Sequence, residues 1–191
     1  MDDAASLATT ASVLATDRDN DLALAARSDP AAFGRLYDRH RLAVYRYLRT
    51  RTASPDDAAE LTAVVFERAL AAIARYRPTG GGILAWLLRI ARNAAIDASR
   101  RGSSVPLVTD FADERPSVTP EGAALANERR TLLLAAVNRL PAIQREAIVL
   151  RYAARLTARQ IGDVLGKSDQ ATQKLLSRAL AAIREDYRVD D

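Results

Sequence analysis

Gln170, Gln173, Lys174, Ser177 and Arg178 stand away from the apolar side of one short stretch of this chain. Amide, ammonium, hydroxyl and guanidinium groups are the side chains that bond phosphates and base edges. A second set, Trp86, Arg89, Arg92, Asn93, Asp97, Arg100 and Arg101, repeats along another stretch. Cations beside an aromatic and planar amides could track a nucleic-acid strand, with charge on phosphate and flat groups on bases; Trp86 could as well be a core anchor. Covalent chemistry has no comparable set. His40 is the only histidine, and a lone His among Arg is more often a surface or partly packed group than a phosphoryl acceptor. No nucleophile has a base in sequence reach, and no Gly loop leads into a helix with Lys-Ser or Lys-Thr. The chain reads as a binder rather than an enzyme, with no metal or cofactor implied.

The first set is positioned by Thr157 to Leu180. Thr157 with Gln160 three residues later is a capping box, which starts a helix with Ile161, Val164 and Leu165 on its apolar face. Gly166 can take positive φ and turn the chain at that helix's end. Ser168 caps a second helix with Ala171, Leu175, Leu176, Ala179 and Ile183 inward. This is a helix-turn-helix. Gly162 would let the two helices cross closely, and Thr172 stands in the hinge where a larger aliphatic is expected.

With 49% apolar residues, only 5% aromatic, and Ala, Leu and Arg dominant, the composition is helical. The absence of Cys excludes disulfides and thiolate metal sites and fits a reducing cytoplasm. No apolar run approaches the roughly 20 residues that span a bilayer, and the acidic N-terminus lacks signal-peptide order. Net charge is +4, distributed as −4 over residues 1–21, +7 over 22–102, −4 over 103–128 and +5 over 129–191. Two basic blocks separated by an acidic stretch suggest two nucleic-acid-facing modules.

Residues 1–21 read as a disordered tail, with a short helix from Asp21 to Arg27. Asp29-Pro30 and Ser54-Pro55 each open a helix, the second carrying Asp57 three residues after its Ser. Phe33, Leu36, Tyr37, Val44, Tyr45 and Leu48 form the first core stripe, and Leu61, Val65, Phe66, Ala69, Leu70 and Ile73 the second. Arg77 to Gly82 is a hard break, followed by a helix from Ile83 to Arg101 with Leu84, Leu87, Leu88, Ala91, Ala95 and Ile96 inward. Residues 103–119, rich in Pro, Ser, Thr and acids, form a linker and the domain boundary. Thr119-Pro120 opens a helix with Leu125, Leu132, Leu133, Ala136 and Val137 inward. Leu140-Pro141 starts another, striped by Ile143, Ala147, Ile148 and Leu150. The expected fold is all-α, with small helical domains over 22–102 and 120–187.

The strings AFGRLYDRHRLAVYRYL (32–48) and ILAWLLRIARNAAIDASRR (83–101) are similar to the ends of sigma region 2, and residues 140–187 to sigma region 4. Their order resembles that of the extracytoplasmic-function (ECF) sigma factors of the sigma-70 family. The resemblance implies a cytoplasmic protein that binds core RNA polymerase, at the beta-prime clamp and beta flap, and directs promoter recognition and opening. Its minus-ten contacts would be Arg77, Trp86, Arg89, Arg92, Asn93, Asp97, Arg100 and Arg101, and the break at 78–82 would match the loop that captures a base turned out of the strand. Its minus-thirty-five contacts would be Ser168, Gln170, Thr172, Gln173, Lys174, Ser177 and Arg178. Asp57, Glu60, Leu61, Val64 and Phe66 would face the polymerase; Ala63 and Val64 stand where the family usually has Gln and Glu.

An anti-sigma protein is the further partner the resemblance implies, bound in apolar grooves between the domains; neither a small-molecule substrate nor membrane embedding is expected. The competing reading is a helix-turn-helix regulator, or a sigma mimic that sequesters an anti-sigma factor without activating transcription.

Overall fold

The computed structural model describes residues 16–100, 108 and 120–189. Among them are eight α-helices and no strand: α1 over 16–25, α2 Pro30–Arg49, α3 Pro55–Ala72, α4 Gly82–Arg100, α5 Pro120–Arg139, α6 Ala142–Tyr152, α7 Ala158–Leu165 and α8 Asp169–Val189. A single 3-10 turn, Ile73–Arg75, closes α3.

The helix starts are chemical. Asp29 accepts from the Ala31 N–H at 2.8 Å with Pro30 in the first turn. At Ser54 the box is complete: Ser54 Oγ accepts from Asp57 N–H at 3.0 Å and Asp57 Oδ2 from Ser54 N–H at 3.3 Å. Each satisfies amides that the first helical turn leaves without an intrahelical acceptor. The Thr119 cap falls outside the described residues.

Ala32, Leu36, His40, Val44, Tyr47 and Leu48 form the buried stripe of α2, at the three- and four-residue spacing of one helix face. It packs on α3 and α4, which also pack on each other. In the second half α6, α7 and α8 pack mutually, with α5 laid on α8. The halves then meet, because α7 lies along α4 and one apolar cluster contains buried residues of both.

Several expectations change. Residues 16–21, read as tail, are helical and anchored: Asn20 accepts from the Tyr76 hydroxyl at 2.6 Å, and Asp19 pairs with Arg39 and with His40 Nε2, 3.3 Å away. His40 is therefore buried beneath α1. Residues 1–15 lie outside the described residues, as does the linker except Val108. That residue is buried, its N–H bonding Asn138 Oδ1 at 2.7 Å and its carbonyl accepting from Asn138 Nδ2 at 3.2 Å. Tyr37, Leu70, Leu132, Leu133 and Ile143, expected inward, are each more than a third exposed. Among the described residues, the helices packed on α5 are chiefly α8 and α6, which leaves Leu132 and Leu133 partly open.

Candidate nucleic-acid interface

The turn between α7 and α8 is built as its residue types require. Thr157 Oγ1 accepts from Gln160 N–H at 3.3 Å, and Gln160 Oε1 accepts from Thr157 N–H at 3.0 Å. Gly166 ends α7 in the left-handed region at φ 67°, and its N–H and that of Lys167 converge on the Gly162 carbonyl. Ser168 Oγ then accepts from Ala171 N–H at 3.2 Å and starts α8.

From that start α8 presents Ser168, Gln170, Gln173, Lys174, Ser177 and Arg178 to solvent. Thr172 is a correction. It is completely buried, its hydroxyl donates to the Ser168 carbonyl at 2.9 Å, and it faces Gly162 across the hinge. It fills the inward position expected for Ala171, which is exposed. Packing excludes Thr172 from any DNA contact.

In the first half, Arg89, Asn93 and Arg100 are exposed along α4. Asp97 bridges to Arg68 of α3 at 3.1 Å, and Trp86 is half-buried with its ring edge-on to Tyr76 at 5.3 Å. Arg77 is exposed and donates to the Tyr76 carbonyl at 3.0 Å; Arg101 lies outside the described residues. Burial, with smaller contributions from Asp163 and Asp19, pushes the Tyr76 hydroxyl up to about 12.

The break at 77–82 is held from two sides. Gly82 adopts φ 70° and lies under Thr16 of α1, where a Cβ would stand 2.7 Å from Thr16 Cγ2. From α7, the Arg159 guanidinium covers Gly80 and Asp163 Oδ2 accepts from the Gly81 N–H. Among the proposed polymerase-facing residues, Asp57 and Glu60 are exposed and Leu61 and Val64 half-buried. Phe66 is a second correction: it is buried, with Tyr37 packed edge-on to it at 4.9 Å, so it supports that surface from beneath.

One group of residues was not legible as a site. Glu146 of α6 is buried and accepts from the Tyr47 hydroxyl at 2.7 Å and from Arg51, with Arg92 Nε 3.9 Å away. These partners lie 95 and 99 residues apart in sequence, and no local pattern announces them. Burial first, then the Glu146 carboxylate, holds the Tyr47 hydroxyl well above its ordinary range, so it is a standing donor. Beside the cluster is a cavity of about 530 Å³ whose walls include Arg51, Arg92, Arg100, Arg145 and Glu146.

Residues 36–105 match the family model of sigma-70 region 2, and residues 130–183 that of sigma-70 region 4. The chain is 35% identical over 156 residues to the ECF RNA polymerase sigma factor ShbA of Streptomyces griseus, covering 76% of this chain and 81% of that one. The chain belongs to the ECF group of the sigma-70 family. It is also 34% identical over 155 residues to the ECF RNA polymerase sigma factor BldN of Streptomyces coelicolor, covering 80% of this chain but 59% of that relative's length. Among solved structures, CnrH in complex with the cytosolic domain of CnrY is similar to this sigma-70 family member, with a TM-score of 0.66 and 25% identity over 91% of this chain and 99% of that one. No helix among the described residues is long and apolar enough to cross a membrane.

Proposed function

We propose that this ECF family member is a promoter-specificity subunit, which binds core RNA polymerase in the cytoplasm and directs it to open particular promoters by binding rather than by covalent chemistry. The observation that carries this is the pairing of a region 2 and a region 4 in one chain, together with an alignment that spans 81% of the ECF sigma factor ShbA. On this reading the exposed groups of α8, from Ser168 and Gln170 to Arg178, take the minus-thirty-five duplex. Arg77, Trp86, Arg89, Arg92, Asn93, Asp97 and Arg100, with Arg101 beyond them, take the minus-ten strand. Asp57, Glu60, Leu61 and Val64 meet the polymerase clamp. An anti-sigma protein is the inhibitory partner; the CnrH structure, solved with the cytosolic domain of a second protein, supports that expectation.

The test is binding of the purified chain to core polymerase followed by run-off transcription from its own upstream region. A discrete transcript is expected. Specific duplex binding with no polymerase binding would instead make it a regulator or a sequestering mimic.

A further inference from the structure

We propose that Tyr47, Arg51 and Arg92 form a phosphate site for promoter DNA, which the Glu146 carboxylate fills when the two halves of the chain are packed together. The inference rests on the DNA-binding reading above and adds to it a contact point and a means of self-restraint.

The three donors belong to the first half: Tyr47 on α2, Arg51 just beyond its end, Arg92 on α4. The acceptor alone comes from the second half. Tyr47 Oη donates to Glu146 Oε1 at 2.7 Å, Arg51 donates to Oε2, and the Arg51 guanidinium lies 5.6 Å from the Tyr47 ring centre. Arg92 Nε is 3.9 Å from Oε1, within ion-pair reach but too far for a hydrogen bond. Nε of Arg51 and of Arg92, both buried, find no hydrogen-bond acceptor among the described residues. One carboxylate therefore leaves this set of donors partly unfilled.

When the halves separate, Glu146 leaves with α6. Two planar guanidinium groups and a hydroxyl that stays protonated then face one point, without the carboxylate that neutralised them. That donor set suits a phosphodiester, which carries one negative charge on two unesterified oxygens. The location suits it too, because Arg92 shares α4 with Arg89, Asn93 and Arg100, so a strand running along that helix passes the site. Arg100 of α4 and Arg145 of α6 add two more cations to the cavity wall.

Exchanging one anion for another keeps the two half-buried guanidinium groups compensated, whereas removing Glu146 alone would leave them without their carboxylate. The packed chain and the DNA-bound chain are then alternatives. The contacts of Arg159 and Asp163 on Gly80 and Gly81 act in the same direction, since they cover the 77–82 loop from the second half.

A plain interdomain salt bridge would make a different prediction. Glu146→Gln and Arg51→Ala break the same contact, so under that reading both should loosen the packing and tighten DNA binding alike. A phosphate site predicts opposite outcomes. Phosphate contacts carry no sequence information, so the probe is a fluorescein-labelled single strand of mixed sequence, titrated by anisotropy without polymerase over a salt series.

Glu146→Gln is expected to bind about tenfold more tightly, and Arg51→Ala no more tightly than the unaltered chain. In an Asp163→Asn background, which weakens the packing at a separate point, adding Arg51→Ala should lower affinity. It should also reduce the slope of log affinity against log salt by about 0.7, the loss of one phosphate contact. Tyr47→Phe, which removes only the hydroxyl, should lower affinity in that background. Equal gains for Glu146→Gln and Arg51→Ala, or an unchanged salt slope in the double variant, would overturn the proposal. Because polymerase is absent, failure of the transcription test leaves this comparison standing, and failure here leaves the transcription test standing.

Discussion

Gly162→Ala in α7 gives a direct test of how the helix-turn-helix is held. A Cβ there would lie 2.6 Å from the Lys167 carbonyl oxygen and 3.1 Å from Thr172 Oγ1. Ordinary contact begins near 3.4 Å, so the carbonyl would have to retreat by about 0.8 Å. That carbonyl is backbone, in the turn whose own N–H is bonded to Gly162 O at 2.9 Å, so the movement displaces the start of α8. Overpacking of this kind costs about 1–3 kcal/mol, while replacing a helical Gly by Ala returns about 1 kcal/mol of helix propensity. Because the clashing atom is backbone, the cost falls in the upper part of that range, about 2–3 kcal/mol, and the net expectation is a loss of about 1–2 kcal/mol. Gly34→Ala is the control. Gly34 sits exposed within α2, with nothing within 4 Å of its added Cβ, so only the propensity gain of about 0.5–1 kcal/mol remains. Urea denaturation followed by far-ultraviolet circular dichroism should move the midpoint down for Gly162→Ala, by about 0.5–1 M at ordinary slopes, and up for Gly34→Ala. Duplex binding by α8 should weaken only in the first. A Gly162→Ala chain as stable as the unaltered protein would refute the account of the hinge.

Thr172→Val should keep DNA affinity unchanged and alter stability by less than about 1 kcal/mol, since it replaces a buried hydroxyl by a methyl of similar shape; a large loss of duplex binding with the fold intact would restore Thr172 to the interface. Phe66→Ala should cost about 3–5 kcal/mol in the same urea assay, whereas Glu60→Ala should leave stability near wild type and weaken polymerase binding, measured by native-gel competition. Burial alone would lift the Asp19 carboxyl, but its bonds to His40 and Arg39 outweigh that and hold it below its ordinary value of 3.8. A lowered folded value means that the anchoring of α1 is fully present above the ordinary range and is lost as pH falls through the lowered one. The protection factors of the α1 amides in hydrogen exchange, taken relative to unstructured peptide at each pH, should therefore fall below about pH 4, and Asp19→Asn should lower them at neutral pH and abolish that acid step.

What the sequence determined by itself was local. The caps at Asp29, Ser54, Thr157 and Ser168 were readable because each side-chain oxygen reaches an amide two or three residues away. The turn at Gly166 followed from a single residue type, and the two basic blocks from charge alone, so the all-α fold and the helix-turn-helix were legible before any coordinates. Tertiary structure decided the rest. A helical period leaves neighbouring positions about 100° apart, and only packing against Gly162 put Thr172 inside and Ala171 outside. Phe66 lay on a stripe the pattern already marked as apolar, yet only the Tyr37 ring over it settled that it supports the surface rather than forming it. The meeting of Tyr47 and Arg51 with Glu146 spans nearly a hundred residues, and α1 reaches the core through Asp19 and Asn20, which resemble any polar tail. The Glu146 contacts depend on how two separately patterned halves dock, and those of α1 on how a polar helix lies across the first half; no helical period encodes either.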